Sequence, residues 1–419
     1  MTGLDMKATT RPRTDAWARP LDSFDMSDPA YYQDDTWYPY FERLRREAPV
    51  HFCAESDYGP YWSITRYRDI ADCLVNHGVF SSEIGGSNIQ DPLNEDHRNR
   101  SFINMDPPNH AEKRRVVSPM NAPKNLAEME TLIRRRTQTV LDSLPRNETF
   151  DWVPHVSVNL TGMMLATLLD VPEEDRAKLT YWSDAATCNI RAPDAPVRSE
   201  DERHAELKKM AAYMWALFEE KRKAPPSFDL LSMLAHGSAT CDMPPHEFMG
   251  TMVLLIVGGN DTTRNTMSGG LLALNEFPDE YRKLMANPAL AESATTEMIR
   301  YVSPVIHRRR TTTQETEVAG QVIPAGAKVV LWHISGNRDE EVIDRPNRLI
   351  VDRKKSRQHL SFGAGIHRCV GDRLAELQLR ILWEEILQRF PMIEVMGEPQ
   401  RSYSATLRGI NSLPVRIPA

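Results

Sequence analysis

One segment limits the fold more than any other. Between Pro245 and Glu276 apolar residues recur at helical spacing for about 32 residues, roughly 48 Å if straight. Asp242 and the pair Pro244-Pro245 open the segment, and Pro278 closes it. A helix this long, with so apolar a centre, has to cross a core. Its most apolar run, Met252 to Val257, is far shorter than the ~20 residues needed to span a bilayer. The expectation is a large, mainly α globule, and 419 residues with 41% hydrophobic content can build one. The middle of the helix reads Gly258-Gly259-Asn260-Asp261-Thr262-Thr263. Each interior glycine costs about 1 kcal/mol against alanine. Close packing of a second helix would compensate, and so would a flat ligand pressed against the backbone.

A second constraint lies at Ser361 to Gly371, SFGAGIHRCVG. Cys369 ends a glycine-punctuated loop. The run that follows has apolar residues at Leu374, Leu377, Ile381, Leu382 and Ile386, which is again helical spacing. Cys369 is therefore expected at or just before a helix N-terminus, where N–H groups and the dipole favour thiolate over thiol. Gly363 and Gly365 let the backbone pass close to something large and flat, and Gly371 lets the helix start tightly. A thiolate so held suits axial ligation of haem iron. Three other readings of the same residues stand beside it. Gly363 and Gly365 could open a dinucleotide loop, although the next glycine is misplaced. Cys369 and His367 could be nucleophile and base, in poor geometry. Cys369 could also be an inert buried thiol.

The stretch F-G-x-G-x-H-x-C-x-G, matched at Phe362, Gly363, Gly365, His367, Cys369 and Gly371, resembles the haem-ligand loop of the cytochrome P450 family. The resemblance runs from about Asp35 to the end. It implies a single haem-thiolate domain over 21–419, mainly α with small β-sheets, after a flexible arm at 1–20. It implies haem b on Cys369, with Phe362 packed beside the sulfur and Gly258 bordering the cofactor. His110 and Arg114, four apart on one helix face, together with Arg310 and His367, become partners of the haem propionates. The G-G-x-D-T stretch resembles the family's acid–alcohol pair: Thr262 hydrogen-bonds dioxygen and Asp261 gates protons. Glu297 and Arg300 match the family's E-x-x-R, and Arg348 its third member, a structural cluster behind the haem loop. Leu254, Val257, Val305 and Ile306 are expected to face substrate, with Tyr403 as a further candidate.

The segments LLIVGGNDTTRNTMSGG and SGNRDEEVIDRP are similar to bacterial hydroxylases that attack the terminal carbon of medium-chain alkanes and fatty acids. The likeness departs at IRYVSPVIHRRRTTT, where Arg308 places a charge beside the expected pocket wall. Terpenoid or steroid hydroxylation and a peroxide-driven haem enzyme are the alternatives, and a non-catalytic haem protein is the weakest.

Composition narrows the partners. A net charge of −7 argues against nucleic acid. Five scattered cysteines form no disulfide or zinc pattern and suit a reducing compartment. The N-terminal residues lack a secretory h-region, so a cytoplasmic monomer without a membrane anchor is expected. No flavin or ferredoxin module is visible, so electrons are expected from a ferredoxin and its NAD(P)H-dependent reductase. Lys113, Arg115, Arg368 and Arg373 are candidates for its docking patch.

Overall fold

The computed structural model describes residues 14–419. Residues 1–13 of the expected arm lie outside the described residues. The rest of that arm is not loose: Thr14–Ala18 is helical, Ala16 is buried, and the segment packs on the Tyr38–Glu47 helix.

The long helix forms over Pro245–Glu276, the limits its flanking prolines dictate. Phe277 leaves helical geometry at φ −122°, ψ 69°, because the α region is disfavoured before Pro278. Each end of this rod sits in its own core. Leu271 and Leu274 join Trp152 and Trp383, whereas Phe248, Met252 and Ile256 join Met214 and Phe218. The glycine-bearing middle lies between the two. Asn159–Leu169, Arg176–Thr187, Glu200–Lys223 and Ala291–Val302 are its helical neighbours. The Glu200–Lys223 helix starts earlier than its apolar periodicity suggests, because Ser199 caps it by accepting from Glu202 N at 3.1 Å. Among the described residues, no helix is long and apolar enough to cross a membrane.

A five-stranded sheet runs in the order Val50–Cys53, Tyr61–Ile64, Lys328–Leu331, Arg308–Thr312, Phe80–Ser81. Arg308 stands opposite Leu331 and Arg310 opposite Val329. Side chains alternate along a strand, so Arg308 and Arg310 share one face and Arg309 takes the other. Arg309 turns to the Asp91 carboxylate, while Arg308 and Arg310 line an internal cavity. A three-stranded sheet places Pro414–Arg416 between Thr149–Asp151 and Glu394–Val395.

A buried ionic cluster connects the helix Ala291–Val302 to the cysteine loop. Glu297 and Arg300 have no exposed surface. Arg300 donates Nε and Nη2 to the two carboxylate oxygens of Glu297, each at 2.8 Å, and Nη1 to the carbonyls of Asn337 and Pro346. The third member is Arg353, not Arg348. Arg353 Nε donates to Glu297 Oε2 at 2.8 Å. Arg348 is exposed, its guanidinium lying 5.3 Å over the Phe277 ring, and only its backbone carbonyl serves the cluster. The reason is the turn at Arg345, with φ 43°, which aims Arg348 outward and returns the chain to Glu297 five residues later. From this cluster the order passes on. Asn337 accepts from Leu360 N and donates to Ser361 Oγ, and Ser361 Oγ donates to Ile299 O.

Candidate active site

The cysteine loop is fastened at both ends. Gly363 N donates to Leu360 O, and Cys369 N donates to Phe362 O at 2.8 Å. Gly365 is required at its position: φ is +67° and a Cβ there would sit 2.5 Å from the Leu74 carbonyl oxygen. The Asp372–Arg389 helix begins at Gly371, so Cys369 stands two residues before its cap. The accessible surface of Cys369 opens into the cavity. The expectation that the helix start would favour thiolate is outweighed here. Burial pushes the thiol upward, and the Gly371 N–H, Arg114 and Arg368 only partly oppose it. A bound cation is what would hold such a sulfur as an anion.

The cavity, of about 240 Å³ as space open to water centres, runs from Cys369 to the middle of the long helix. At its rim His110, Arg114, Arg310 and His367 come together. The two imidazoles lie 4.3 Å apart by ring centroids. His110 Nε2 and both ring nitrogens of His367 are buried without a partner. Burial, helped by Arg310, pushes His367 down to about 2, so it is a neutral donor. Arg310 is lowered by burial and by Arg308 to about 10, and stays charged. Three further facts concern the wall and floor. Gly258 has nothing within 4 Å of a would-be Cβ, leaving the backbone bare toward the cavity. At Gly259 a would-be Cβ instead meets Leu165 Cδ1, at 3.1 Å. Phe362 lines the cavity beside the cysteine. Unpaired buried donors opposite a cysteine sulfur, with a bare helix wall between, fit a flat iron macrocycle carrying two carboxylates.

The lining of the long helix is Leu254, Leu255, Gly258, Gly259, Thr262, Thr263 and Thr266. Val257 does not belong to it, because it points roughly 150° from the middle of that arc. Ile306 does not belong either. Val305 faces the cavity, so its neighbour turns the other way, into the cluster with Trp332 and Phe41. Tyr403 is likewise absent from the lining.

Asp261 and Thr262 part company. Thr262 lines the cavity and donates to Gly258 O at 3.2 Å. Asp261 is fully buried on the far side. It accepts from Ser183 at 3.0 Å and Thr187 at 2.9 Å, and meets Arg264 at 3.1 Å. Arg264 also binds Asp184 at 2.6 Å. The expected direct relay between adjacent side chains is therefore not formed; i and i+1 on a helix do not face each other. Ser183, Thr187 and Arg264 are contacts of Asp261 that the local motif could not reveal. His333, whose ring nitrogens are both buried and unpartnered in the cavity wall, also escaped the motif reading. On the surface, Lys113 is taken out of the docking patch by its ion pair with Glu247. Arg368 pairs with Asp372 at 3.0 Å. Arg115 and Arg373 remain exposed.

Comparison with known proteins agrees with this geometry. Residues 288–415 match the family described as Cytochrome P450. Linalool 8-monooxygenase of Pseudomonas putida is 36% identical over 402 residues, 93% of this chain and 98% of that protein. The structure of cytochrome P450-153 from Novosphingobium aromaticivorans has 45% identity and a TM-score of 0.88, covering 94% of this chain and 99% of that one. CYP153D17 from Sphingomonas sp. PAMC 26605 gives 44% and 0.90, covering 96% and 100%. With this similarity over nearly its whole length, and a site that fits haem b, the chain belongs to the cytochrome P450 family of haem-thiolate monooxygenases.

Proposed function

We propose that Cys369 is the axial ligand of the haem iron, that His110, Arg114, Arg310 and His367 hold its propionates, and that the enzyme hydroxylates the terminal carbon of medium-chain alkanes or fatty acids. The bound haem supplies dioxygen activation for insertion of one oxygen atom into a C–H bond, using two electrons and two protons. The chain's own residues do the rest. The Thr262 hydroxyl is the polar group that the long helix offers at the centre of the cavity, and it can hold a proton at Oγ1. Asp261 works from behind the helix, where Ser183, Thr187 and Arg264 hold its carboxylate. Intrinsic reactivity disfavours a primary carbon, so the walls must exclude the neighbouring methylenes.

The observation that carries this reading is the apolar wall beside that hydroxyl: Leu254, Leu255, Val305 and Ile103, with the ring of Phe102. Burial of an alkyl chain there is worth about 0.8 kcal/mol per CH2. Electrons come from a ferredoxin that docks against the exposed cations Arg115 and Arg373. A second reading, hydroxylation of a terpenoid alcohol, draws on the 36% identity to linalool 8-monooxygenase.

Purified holoenzyme with a ferredoxin and its reductase should convert decane and decanoic acid mainly to the terminal alcohols by mass spectrometry of products. A majority of internal alcohols would remove the terminal assignment. Turnover of linalool with neither aliphatic substrate touched would install the second reading.

A further inference from the structure

Four arginines line the cavity, Arg114, Arg308, Arg310 and Arg368, and the lining contains no aspartate or glutamate. Arg368 is paired with Asp372. Among the described residues, none of the other three forms an ion pair. Haem b brings two propionates, so one guanidinium is left without a carboxylate. An unpaired buried cation is expensive unless something completes it.

The spare cation is Arg308. Arg114 and Arg310 both lie within electrostatic reach of His110 and His367, at the rim. Arg308 acts first on His333 and also on His307, with Arg310 a smaller influence at His333, and Arg308 is absent from the groups acting on His110 and His367. Cross-strand geometry explains this: Arg308 stands opposite Leu331, two residues before His333. The Arg308 guanidinium has one long contact, Nη1 to the His307 carbonyl at 3.5 Å, and the residue lines the cavity. His333 is 2% exposed, and neither ring nitrogen has a partner. A guanidinium and an imidazole, both unsatisfied, thus converge on the cavity next to the aliphatic Val305.

We propose that Arg308 and His333 form a binding point for a carboxylate carried by the substrate, so that the preferred substrates are aliphatic acids and not the matching hydrocarbons. The inference rests on reading the cavity as an aliphatic substrate chamber, and it chooses within the class proposed above.

The test is a spin-state titration of the holoenzyme with decanoic acid, methyl decanoate and decane at neutral pH. The acid is expected to bind about 10- to 100-fold more tightly than the ester and the hydrocarbon, the scale of a charge-assisted contact in a closed site. Arg308→Leu should erase that gap, Arg308→Lys should keep part of it, and His333→Phe should narrow it. The carbon monoxide complex reports how much haem each variant retains. Equal affinity for acid and ester in the wild type overturns the proposal without any variant. So does a preference that survives Arg308→Leu, or a Leu variant that loses haem beside a Gln variant whose acid preference is intact. Response to all three ligands without preference removes this inference alone. Silence toward all three removes the aliphatic reading with it.

Discussion

A single step along a helix turns a side chain by about 100°. That turn sends Thr262 into the cavity and Asp261 out of the back, toward Ser183, Thr187 and Arg264. The two residues should therefore fail differently. Thr262→Ala should keep haem and the substrate-induced spectral change, yet release several-fold more peroxide per reduced nicotinamide consumed. Tight coupling in that variant would contradict its role. Asp261→Asn should lower turnover about 100-fold or more, the range of a lost proton-transfer group, and do so without raising peroxide as far. At this scale the sequence was readable for residues that the structure brings to one cavity: Cys369, Thr262, and the rim donors His110, Arg114, Arg310 and His367. It was silent on Ser183 and Thr187, whose hydroxyls find Asp261 from another helix, some 75 positions away in the chain.

Elements decide which of several equivalent residues is used. Arg348 and Arg353 lie in one short stretch, and nothing local distinguishes them; the turn at Arg345 does. Arg353→Ala should cost about 3–5 kcal/mol, because it strips a partner from a fully buried carboxylate. It should also loosen haem retention through Asn337 and Ser361. Arg348→Ala should stay within about 1 kcal/mol, as surface changes do. Urea unfolding of the two holoproteins compares them directly. The two glycines of the long helix also separate. Gly258→Ala meets no protein atom and gains helix propensity, but its methyl projects into the cavity, so the fold should be kept while haem retention or substrate affinity drops several-fold. Gly259→Ala should cost stability, because the new methyl presses on Leu165. Helix limits were legible where proline or a capping serine marks them. Val257 and Ile306 were misplaced because an apolar residue near a pocket looks the same whether it faces the pocket or the core.

Across the whole molecule, buried imidazoles set the acid limit. His307 donates its Nδ1–H to Ala405 O and is pushed down to about 3 by burial and then Arg308. His359 is also pushed to about 3, by burial and then Arg368. Unfolded, both return to about 6.5. As pH falls below that value the unfolded chain takes up protons and the folded chain does not. Stability is therefore complete above about pH 7 and drains toward pH 3, at ~1.4 kcal/mol per pH unit for each histidine. Unfolding midpoints in urea at pH 7.5, 6 and 5 should fall accordingly, and His307→Phe should flatten the slope. No stretch of sequence foretold these environments, nor the pairing of Tyr61–Ile64 with Lys328–Leu331, which joins segments more than 260 residues apart.

The three-stranded sheet carries one last implication. Its middle strand, Pro414–Arg416, comes later in the chain than both flanking strands, and both depend on it. A nascent chain can wind its helices early, but Thr149–Asp151 and Glu394–Val395 stay without their shared neighbour until residues 414–416 have been made. Premature stop codons only a few positions upstream should therefore yield insoluble or protease-sensitive product, even though every residue assigned to chemistry would already have been made.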